Sequence, residues 1–325
     1  MVRMGATGIE WTDVTWNPVT GCRKVSPGCQ HCYAETFARR GMGPWKGRRF
    51  EDVRTHADRL DAPLRWRKPR RVFVNSMSDL FHEDVPDDFI DRVFAVMLLA
   101  RRHTFQVLTK RPERMRSYVR PGARLRVTVE AGRLADDGRG SLSEPIAWPL
   151  PNVWLGVSCE DQQRAAERIP ILLDTPAAVR FVSAEPLLGP IRLDWLRVKD
   201  GNLHALRGVR TDDFTSCGVP DQRTARLGWV ICGGESGPGA RPCAVEWVRD
   251  IRDDCTAAGV ACFVKQLGAV VSHDDPDSWD EGESPWPDGT VIDDGCTPRV
   301  RLRDRKGGDM TEWPADLRVR EFPAP

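Results

Sequence analysis

Short runs of apolar and β-branched residues, each ending in polar residues, recur along the chain. Runs such as VWLGV and WVICG are apolar throughout, which suits strands covered on both faces, as in a parallel sheet. A first candidate strand, WTDVTWNPVTGC, precedes them. The later runs are RVFVNSMSD (71–79), TFQVLTKRP (104–112), NVWLGVSCE (152–160), VRFVSAEP (179–186), GWVICGGES (228–236) and ACFVKQLG (261–268).

Helical patterns lie between several of these candidate strands. DDFIDRVFAVMLLARR follows the second strand and opens after Pro86 with acidic residues, a favourable helix start. QQRAAERIPILLD follows the fourth strand, and AVEWVRDIRDDCTAAG follows the sixth and ends at Gly259, a predicted C-cap. The alternation predicts a parallel α/β architecture. A barrel and an open doubly wound sheet both satisfy this pattern, and in both the functional groups collect at the C-terminal ends of the strands.

Two segments interrupt the alternation and predict the domain organisation. Residues 121–150 and 194–227 are longer than ordinary connections, so we expect insertions there. After about residue 270 the alternation stops, and the chain becomes rich in Pro, Gly, Asp and Trp. We therefore expect an α/β barrel over residues 1–269. Residues 270–325 would form an acidic, irregular C-terminal extension that packs on the barrel and ends in a short strand.

The composition bears on the compartment. The chain has 325 residues and ten cysteines. The start, MVRMGATGIEWTD, lacks the apolar core of a secretory signal, and the longest apolar run, VFAVMLLA, is too short to cross a bilayer. We expect a cytoplasmic protein that does not enter a membrane. In a reducing compartment, clustered thiols indicate a metal site or catalysis more than disulfides.

The net charge of +1 conceals two strongly charged stretches. Residues Arg39–Arg71 hold twelve Lys or Arg against four Asp or Glu, with Trp45, Phe50 and Trp66 interleaved. Residues Asp274–Asp294 hold nine Asp or Glu and no Lys or Arg. The basic stretch predicts a nucleic-acid contact through phosphate neutralisation and base stacking. The alternative is a pair of solvated surfaces.

Three cysteines lie within one short stretch, GCRKVSPGCQHCY. Cys22, Cys29 and Cys32 have the spacing C-x6-C-x2-C and follow the first candidate strand. Structural zinc takes four ligands, and no fourth is evident. Three thiolates that leave one position open suit a [4Fe–4S] cluster with one open iron. Three interpretations therefore stand: a [4Fe–4S] site, a structural zinc site and unliganded thiols. Other cysteines, namely Cys159, Cys232, Cys255 and Cys262, are expected to be small buried hydrophobic residues.

The chain resembles the radical S-adenosylmethionine (radical SAM) enzymes, whose three-cysteine loop follows the first strand of a partial (β/α)6 barrel. More closely, it is similar to the phage-associated three-Cys-motif family of uncharacterised proteins. The opening IEWTDVTWNPVTGC…GCQHCYAETFARR, VFVNSMSDLFHEDVP, VSAEPLLGPI, CGGESG and EWPADLRVREFP carry this likeness. One departure is the first gap, six residues here and three in the common loop. The resemblance implies a partial parallel (β/α)6 TIM-like barrel of radical SAM type.

The resemblance also implies cofactors and site residues. Cys22, Cys29 and Cys32 would hold the cluster, and SAM would occupy the open iron. One-electron reduction would then yield a 5′-deoxyadenosyl radical. In radical SAM enzymes the residue before the last cysteine is typically aromatic, and His31 occupies that position here. Those enzymes also have a glycine-rich segment after the second strand, which is replaced here by Ser76, Met77, Ser78 and Asp79. Further residues implied at the cofactor or substrate are Lys110, Ser158, Glu160, Glu185, Gly233, Gly234, Glu235 and Lys265.

Three functions therefore compete. The first is a radical SAM enzyme that modifies or repairs DNA, RNA or a nucleotide, with Arg39–Arg71 on the nucleic acid and an external electron donor. The second is a zinc-stapled, non-catalytic nucleic-acid-binding protein. The third is a radical SAM enzyme acting on a peptide or small metabolite. Iron and sulfide content separates the second from the other two.

Overall fold

The computed structural model describes residues 7–41, 45–142, 145–199, 201–211, 222–273, 286, 290–292 and 299–324. The strands are, in chain order, β1 (Val14–Trp16), β2 (Val19–Thr20), β3 (Arg54–Thr55), β4 (Arg71–Val74), β5 (Thr104–Thr109), β6 (Val153–Ser158), β7 (Val179–Ala184), β8 (Leu196–Val198), β9 (Gly201–His204), β10 (Val209–Thr211), β11 (Gln222–Arg223), β12 (Trp229–Gly233), β13 (Cys243–Ala244), β14 (Ala261–Gln266), β15 (Val271–Ser272), β16 (Thr290–Ile292) and β17 (Arg299–Arg301). The α-helices are α1 (Tyr33–Arg39), α2 (Asp87–Leu99), α3 (Pro112–Val119), α4 (Gly122–Asp136), α5 (Gln162–Leu173) and α6 (Val245–Ala258).

A seven-stranded parallel sheet organises the fold, in the order β1-β4-β5-β6-β7-β12-β14. At one end of the sheet, Val14 of β1 pairs with Val72 of β4, and Val72 pairs in turn with Phe105 of β5. At the other end Trp229 pairs with both Phe181 and Ala261. These neighbours are largely buried apolar residues, so the apolar runs of the sequence do correspond to strands covered on both faces.

The strand order decides between the two architectures left open by the pattern. Each strand of the sheet lies beside the next strand of that sheet along the chain, with no reversal of direction. A doubly wound sheet contains a switch point at which the order reverses, and a barrel does not. The winding is therefore that of a parallel half-barrel, and the predicted fold class is confirmed.

The predicted elements are confirmed along the chain. The structure places a strand in each of the six later apolar runs and helices α2, α5 and α6 in the three helical patterns. Helix α6 is followed by Gly259, whose φ of 64° is left-handed, so the predicted glycine C-cap is confirmed. Helix α5 contains Pro170 in its interior and continues beyond it to Leu173.

The chain divides into two compact units. The first comprises residues 1–157 and 174–180, and the second comprises residues 158–173 and 181–325. The predicted boundary at residues 269/270 lies inside the second unit and stays a prediction. The first predicted insertion contains α4, which packs against α2 in the first unit. The second contains a four-stranded antiparallel sheet in the order β11-β10-β9-β8.

Residues 313–321 pack against helix α6 and strand β14 of the second unit. The side chain of Trp313 is fully buried, and Arg249 and Arg252 of α6 bind Asp316 at 2.9 and 3.0 Å. The backbone N–H of Val264 donates to Val319 O, and that of Glu321 donates to Cys262 O. This segment therefore pairs antiparallel with the edge of β14. The acidic stretch Asp274–Asp294 lies almost entirely outside the described residues.

Candidate functional site

The cysteine loop begins at Gly21, where the close approach of neighbouring backbone leaves no room for a side chain. Gly21 adopts a φ of +97°, and a Cβ there would lie 2.5 Å from the carbonyl oxygen of Asp52. Its N–H donates to Met77 O, and the N–H of Cys22 donates to Phe50 O. These contacts fix Cys22 just beyond β1 and β2. The loop therefore leaves the sheet at the carboxyl end of its edge strand, where parallel α/β folds carry their functional groups.

The loop then brings its thiols near one another. A 3-10 turn at Pro27–Cys29 leads to α1, with Cys32 at the N-cap position. Cys22 and Cys32 both pack against a small apolar cluster that contains Trp45 and Phe50. Cys29 lies close enough to exert an electrostatic effect on both of the other thiols.

Accessibility separates these three cysteines from the rest. Cys22, Cys29 and Cys32 are half-buried, whereas the other described cysteines are buried. The prediction that Cys159, Cys232, Cys255 and Cys262 are buried is confirmed. Cys262 also lies within hydrogen-bond reach of Cys232 and Cys255, a contact that the sequence did not indicate. Cys217 and Cys296 lie outside the described residues.

The surroundings of the loop control the protonation of its thiols. Burial raises the pKa of Cys22 to about 12, and the charge of Asp79 acts in the same direction, whereas Arg111 opposes both. Burial also raises the pKa of Cys32. The N–H groups of Glu35 and Ala34 and the charge of Lys110 lower this pKa but do not outweigh burial. The thiols of Cys22 and Cys32 are therefore protonated at neutral pH, and a metal bound through them would have to displace these protons.

The donor set suits thiolate ligation. Arg111, Lys110 and the N–H groups at the start of α1 would all stabilise sulfur ligands that carry negative charge. In the described part of the chain, no three His, Cys, Asp or Glu side chains stand in a ready-made metal-binding arrangement. The loop offers three possible sulfur ligands, and binding one metal centre through all three would require their side chains to reorient.

Arg111 is the residue that the sequence analysis missed. Its Nη1 lies 3.7 Å from Cys22 Sγ and 3.1 Å from Asp79 Oδ2, and its Nε lies 3.1 Å from Glu83 Oε2. The sequence analysis names its neighbour Lys110 instead. The signal that could have found Arg111 is the basic pair that ends this strand, TFQVLTKRP, since either member could face the loop.

The predicted site residues after β4 serve the loop structure. The carboxylate of Asp79 accepts from Thr109 Oγ1 at 2.7 Å, from Lys110 N and from Arg111. Ser78 Oγ donates to Val19 O at 2.9 Å. Ser76 Oγ lies 3.2 Å from both the Nδ2 and the Oδ1 of Asn17, and Ser76 O accepts from the hydroxyl of Tyr33. These contacts tie the end of β4 to the cysteine loop. His31 is exposed in the turn before α1.

The second unit contains the other predicted residues, in three separate ion pairs. Glu160 is fully buried and binds Arg168 at 3.0 Å, while the backbone oxygen of its neighbour Ser158 accepts from the same guanidinium. Glu235 binds Arg241 at 2.7 Å. Glu185 binds Lys265 at 3.0 Å, both side chains being partly buried at the carboxyl ends of their strands.

The glycines of the GGES segment permit close strand packing. A Cβ on Gly234 would lie 2.2 Å from Leu267 O, and one on Gly233 would lie 2.7 Å from Gln266 O. The Nε2 of Gln266 donates to Gly234 O at 2.9 Å. These two positions therefore need glycine for the packing of the strand ends, whatever they bind.

The aromatic residues of the basic stretch do not lie where base stacking requires them. Trp45, Phe50 and Trp66 are buried, with at most 9% of their surface exposed. The prediction that these rings stack on bases is therefore wrong, because they form core contacts instead. Basic side chains of the same stretch do remain exposed, namely Arg39, Arg40, Lys46, Arg49, Arg54, Arg65, Arg67 and Lys68.

Comparison with known proteins identifies the family. A model of a family described as a protein of unknown function (DUF5131) matches residues 6–311. The chain belongs to this family. No curated protein sequence matches this DUF5131 member.

Two solved structures align with this DUF5131 chain over 93% of its length and 72% of theirs. They are a spore photoproduct lyase complexed with a dinucleoside spore photoproduct (TM-score 0.41, 10% identity) and a cysteine-to-serine mutant of spore photoproduct lyase (TM-score 0.38, 10% identity). Among the described residues, no helix is long and apolar enough to cross a membrane.

Proposed function

We propose that the protein is a radical SAM-type enzyme whose [4Fe–4S] cluster is held by Cys22, Cys29 and Cys32, and that it modifies or repairs a nucleic acid. The observation that carries the proposal is the placement of the three half-buried thiols on one loop, at the carboxyl end of the first strand of a parallel half-barrel. The likeness of the sequence motifs to radical SAM enzymes gives this placement its chemical meaning.

When bound, such a cluster would supply the electron that cleaves SAM to methionine and a 5′-deoxyadenosyl radical. The chain would supply three thiolates, the charge compensation of Arg111 and Lys110, and the N–H groups at the start of α1. Asp79 would hold Arg111 in place through its own carboxylate. The partly buried Glu185–Lys265 pair is a second candidate for binding the cofactor or the substrate.

The nucleic-acid part of the proposal rests on the exposed charges of Arg39–Arg71. Several of these exposed cations have no close carboxylate partner among the described contacts. Three do: Arg65 binds Asp61 at 2.6 Å, Arg49 binds Glu51 at 3.4 Å and Arg39 lies 3.8 Å from Glu35. Since the three aromatics of the stretch are buried, the contact we propose is with phosphates. The exposed rings nearest the cysteine loop in sequence are Tyr33 and Phe37 on α1.

The test is anaerobic reconstitution followed by iron, sulfide and zinc analysis and an assay for 5′-deoxyadenosine. We expect about four irons and four sulfides per chain and slow SAM cleavage after reduction. Cys22→Ala, Cys29→Ala and Cys32→Ala should each lose the cluster, while the buried Cys243→Ala serves as a matched control that keeps it. About one zinc without sulfide would instead support a structural zinc site. A full cluster with no SAM binding would refute the radical SAM assignment.

A further inference from the structure

A pocket lies on the small antiparallel sheet of the second unit, a part of the chain to which the proposed function assigns no role. The cavity is about 260 Å³. Pockets for drug-sized ligands measure roughly 300–1,000 Å³, so this one suits a smaller group. It is lined by Asp194, Trp195, Asn202, His204, Arg207, Val209 and Thr211.

The strand register places these side chains on one face. On β9, Asn202 and His204 are two residues apart and share a face, as alternate residues of a strand do. On β10, Val209 pairs with His204 and Thr211 pairs with Asn202, which puts all four on the same side. Leu203, between them, points to the other side and is buried in the core.

Two polar side chains that line the pocket each carry a buried atom without a hydrogen-bond partner among the described residues. Among the residues that the structure describes, nothing bonds to Asn202 Oδ1 or to His204 Nδ1. Buried polar atoms are nearly always paired in folded proteins, so these two neighbouring side chains keep unused hydrogen-bonding capacity beside the pocket. An amide and an imidazole can together both donate and accept, because each carries both kinds of atom.

The remaining wall supplies a ring and a cation. Trp195 is 56% exposed, so part of its indole ring is accessible to a stacking partner. Arg207 is exposed, and its only described hydrogen bond is a long one of 3.5 Å to Ala257 O. The carboxylate of Asp194 is already held by Arg192 at 3.0 and 2.9 Å, so it adds little free negative charge to the pocket.

We propose that this pocket binds one nucleobase, stacked on Trp195 and hydrogen-bonded by Asn202 and His204, with Arg207 on the attached phosphate. Stacking on an aromatic side chain combined with hydrogen bonds to the base edge is the usual way in which proteins hold an unpaired base. Burial lowers the pKa of His204, and the positive charge of Arg207 lowers it further. The negative charge of Asp194 has the opposite, smaller effect. The imidazole is therefore neutral at pH 7 and keeps one nitrogen as an acceptor.

The base could come from a free nucleotide or from a single strand, and the experiment separates these sources. The full chain is titrated calorimetrically with AMP, GMP, CMP and UMP, with the matching nucleosides, and with single-stranded DNA hexamers. Binding of a mononucleotide at sub-millimolar concentration supports a free-nucleotide site. Binding of a hexamer alone supports a base held within a strand. The proposal does not require the cysteine loop to hold a cluster, so it is tested equally well on metal-free protein.

Variants test the assignment of each residue. Trp195→Ala should weaken binding about tenfold, whereas Trp195→Phe, which keeps a ring, should stay close to wild type. His204→Ala should weaken every base-containing probe. Arg207→Ala should weaken nucleotides and leave nucleosides unchanged. Leu125→Ala, which removes an exposed apolar side chain of the first unit, is the matched control and should change nothing.

Two results would overturn the proposal. One is the absence of binding by any mononucleotide, nucleoside or hexamer at millimolar concentration. The other is hexamer binding that Trp195→Ala and His204→Ala leave unchanged, since the strand would then be held elsewhere. Trp195 is exposed, so the fold of its variants should be intact, and an unchanged melting temperature verifies this.

Discussion

Arg111 places its guanidinium 3.7 Å from the Sγ of Cys22, so a charged group directly contacts a thiol of the cysteine loop. A guanidinium stays positively charged at any ordinary pH. It can therefore compensate a thiolate in a partly buried site, where an uncompensated charge is costly.

Replacing Arg111 by Met should weaken cluster retention without changing the three ligands. Loss of such an outer partner typically costs about 10–100-fold in metal affinity. We expect Arg111→Met to lose iron to a chelator correspondingly faster than wild type, measured by the decay of cluster absorbance. Arg116→Met is the control, because Arg116 makes a partly exposed pair with Asp174 at 3.5 Å. Equal retention by both variants would remove Arg111 from the site.

Reversing exposed charges of the basic stretch should reduce nucleic-acid binding and its dependence on salt. Arg65, Arg67 and Lys68 are exposed, so changing all three to Glu should leave the fold intact. Each lost phosphate contact lowers the slope of log K against log salt by about 0.7–0.9, so the triple variant should lower it by about two to three. Fluorescence anisotropy with labelled DNA and RNA between low and moderate salt measures this slope.

The matched control for that experiment reverses Arg124, Arg133 and Arg139, three exposed arginines in and just after α4. It changes the net charge by the same amount at another surface. If both triple variants lower the slope equally, the effect is one of overall charge. If wild-type binding shows no salt dependence, the stretch is a solvated surface, and a peptide or metabolite becomes the better substrate.

Asp254 should destabilise the protein at neutral pH. Burial raises its pKa to about 6, and repulsion by Asp194 adds to this. Because the native carboxyl holds its proton more tightly than the unfolded one, whose pKa is near 3.8, stability falls as the pH rises from about 4 to about 6 and stays lower above. With allowance for solvent screening, Asp254→Asn should gain about 1 kcal/mol at pH 7, or roughly 2 °C in Tm.

Melting curves at two pH values test this sign. The gain from Asp254→Asn should be present at pH 7 and absent at pH 4. Asp253→Asn is the matched control, since Asp253 is an exposed neighbour paired with Arg252 at 2.8 Å. Its effect should stay within about 0.5 kcal/mol at both pH values. A gain from Asp254→Asn that is larger at pH 4 than at pH 7 would contradict the assignment.

Trp313 should be one of the most costly residues to truncate. Its side chain is fully buried, and its Nε1 donates to Gly307 O at 3.0 Å. Trp313→Ala creates a cavity and leaves that carbonyl without its partner, so we expect a loss of about 3–5 kcal/mol in urea unfolding. Trp195→Ala is the control of the same type, because Trp195 is exposed, and its loss should stay near zero. Similar losses in both variants would contradict the packing described for residues 313–321.

The periodic elements of this chain could be predicted because local pattern decides them. The runs that became β4 to β7, β12 and β14 are apolar on both faces, and the helices between them begin and end at recognisable residues. The winding could not be derived from the alternation alone, since a barrel and a doubly wound sheet share it. Strand order fixes the choice, and it depends on tertiary packing.

The site was predictable where one segment carries it and not where several segments meet. The three loop thiols share a stretch of eleven residues, and their spacing already indicated a common role. By contrast, whether Lys110 or Arg111 approaches Cys22 depends on the register at the end of β5. Likewise, burial of Trp45 and Trp66 depends on distant partners, because interleaved aromatic and basic residues suit a packed loop as well as a binding surface.

The antiparallel pairing of residues 319–321 with β14 also determines what proteolytic cleavage near the C-terminus would do. A cut in the exposed stretch around Arg305 and Lys306 would leave the cysteine loop and the rest of the half-barrel chemically intact. If the released segment then dissociated, the backbone donors and acceptors of β14 would be uncovered along one edge. Bare strand edges recruit other strands, including those of neighbouring molecules. Proteolytic damage at this place would therefore appear as concentration-dependent self-association.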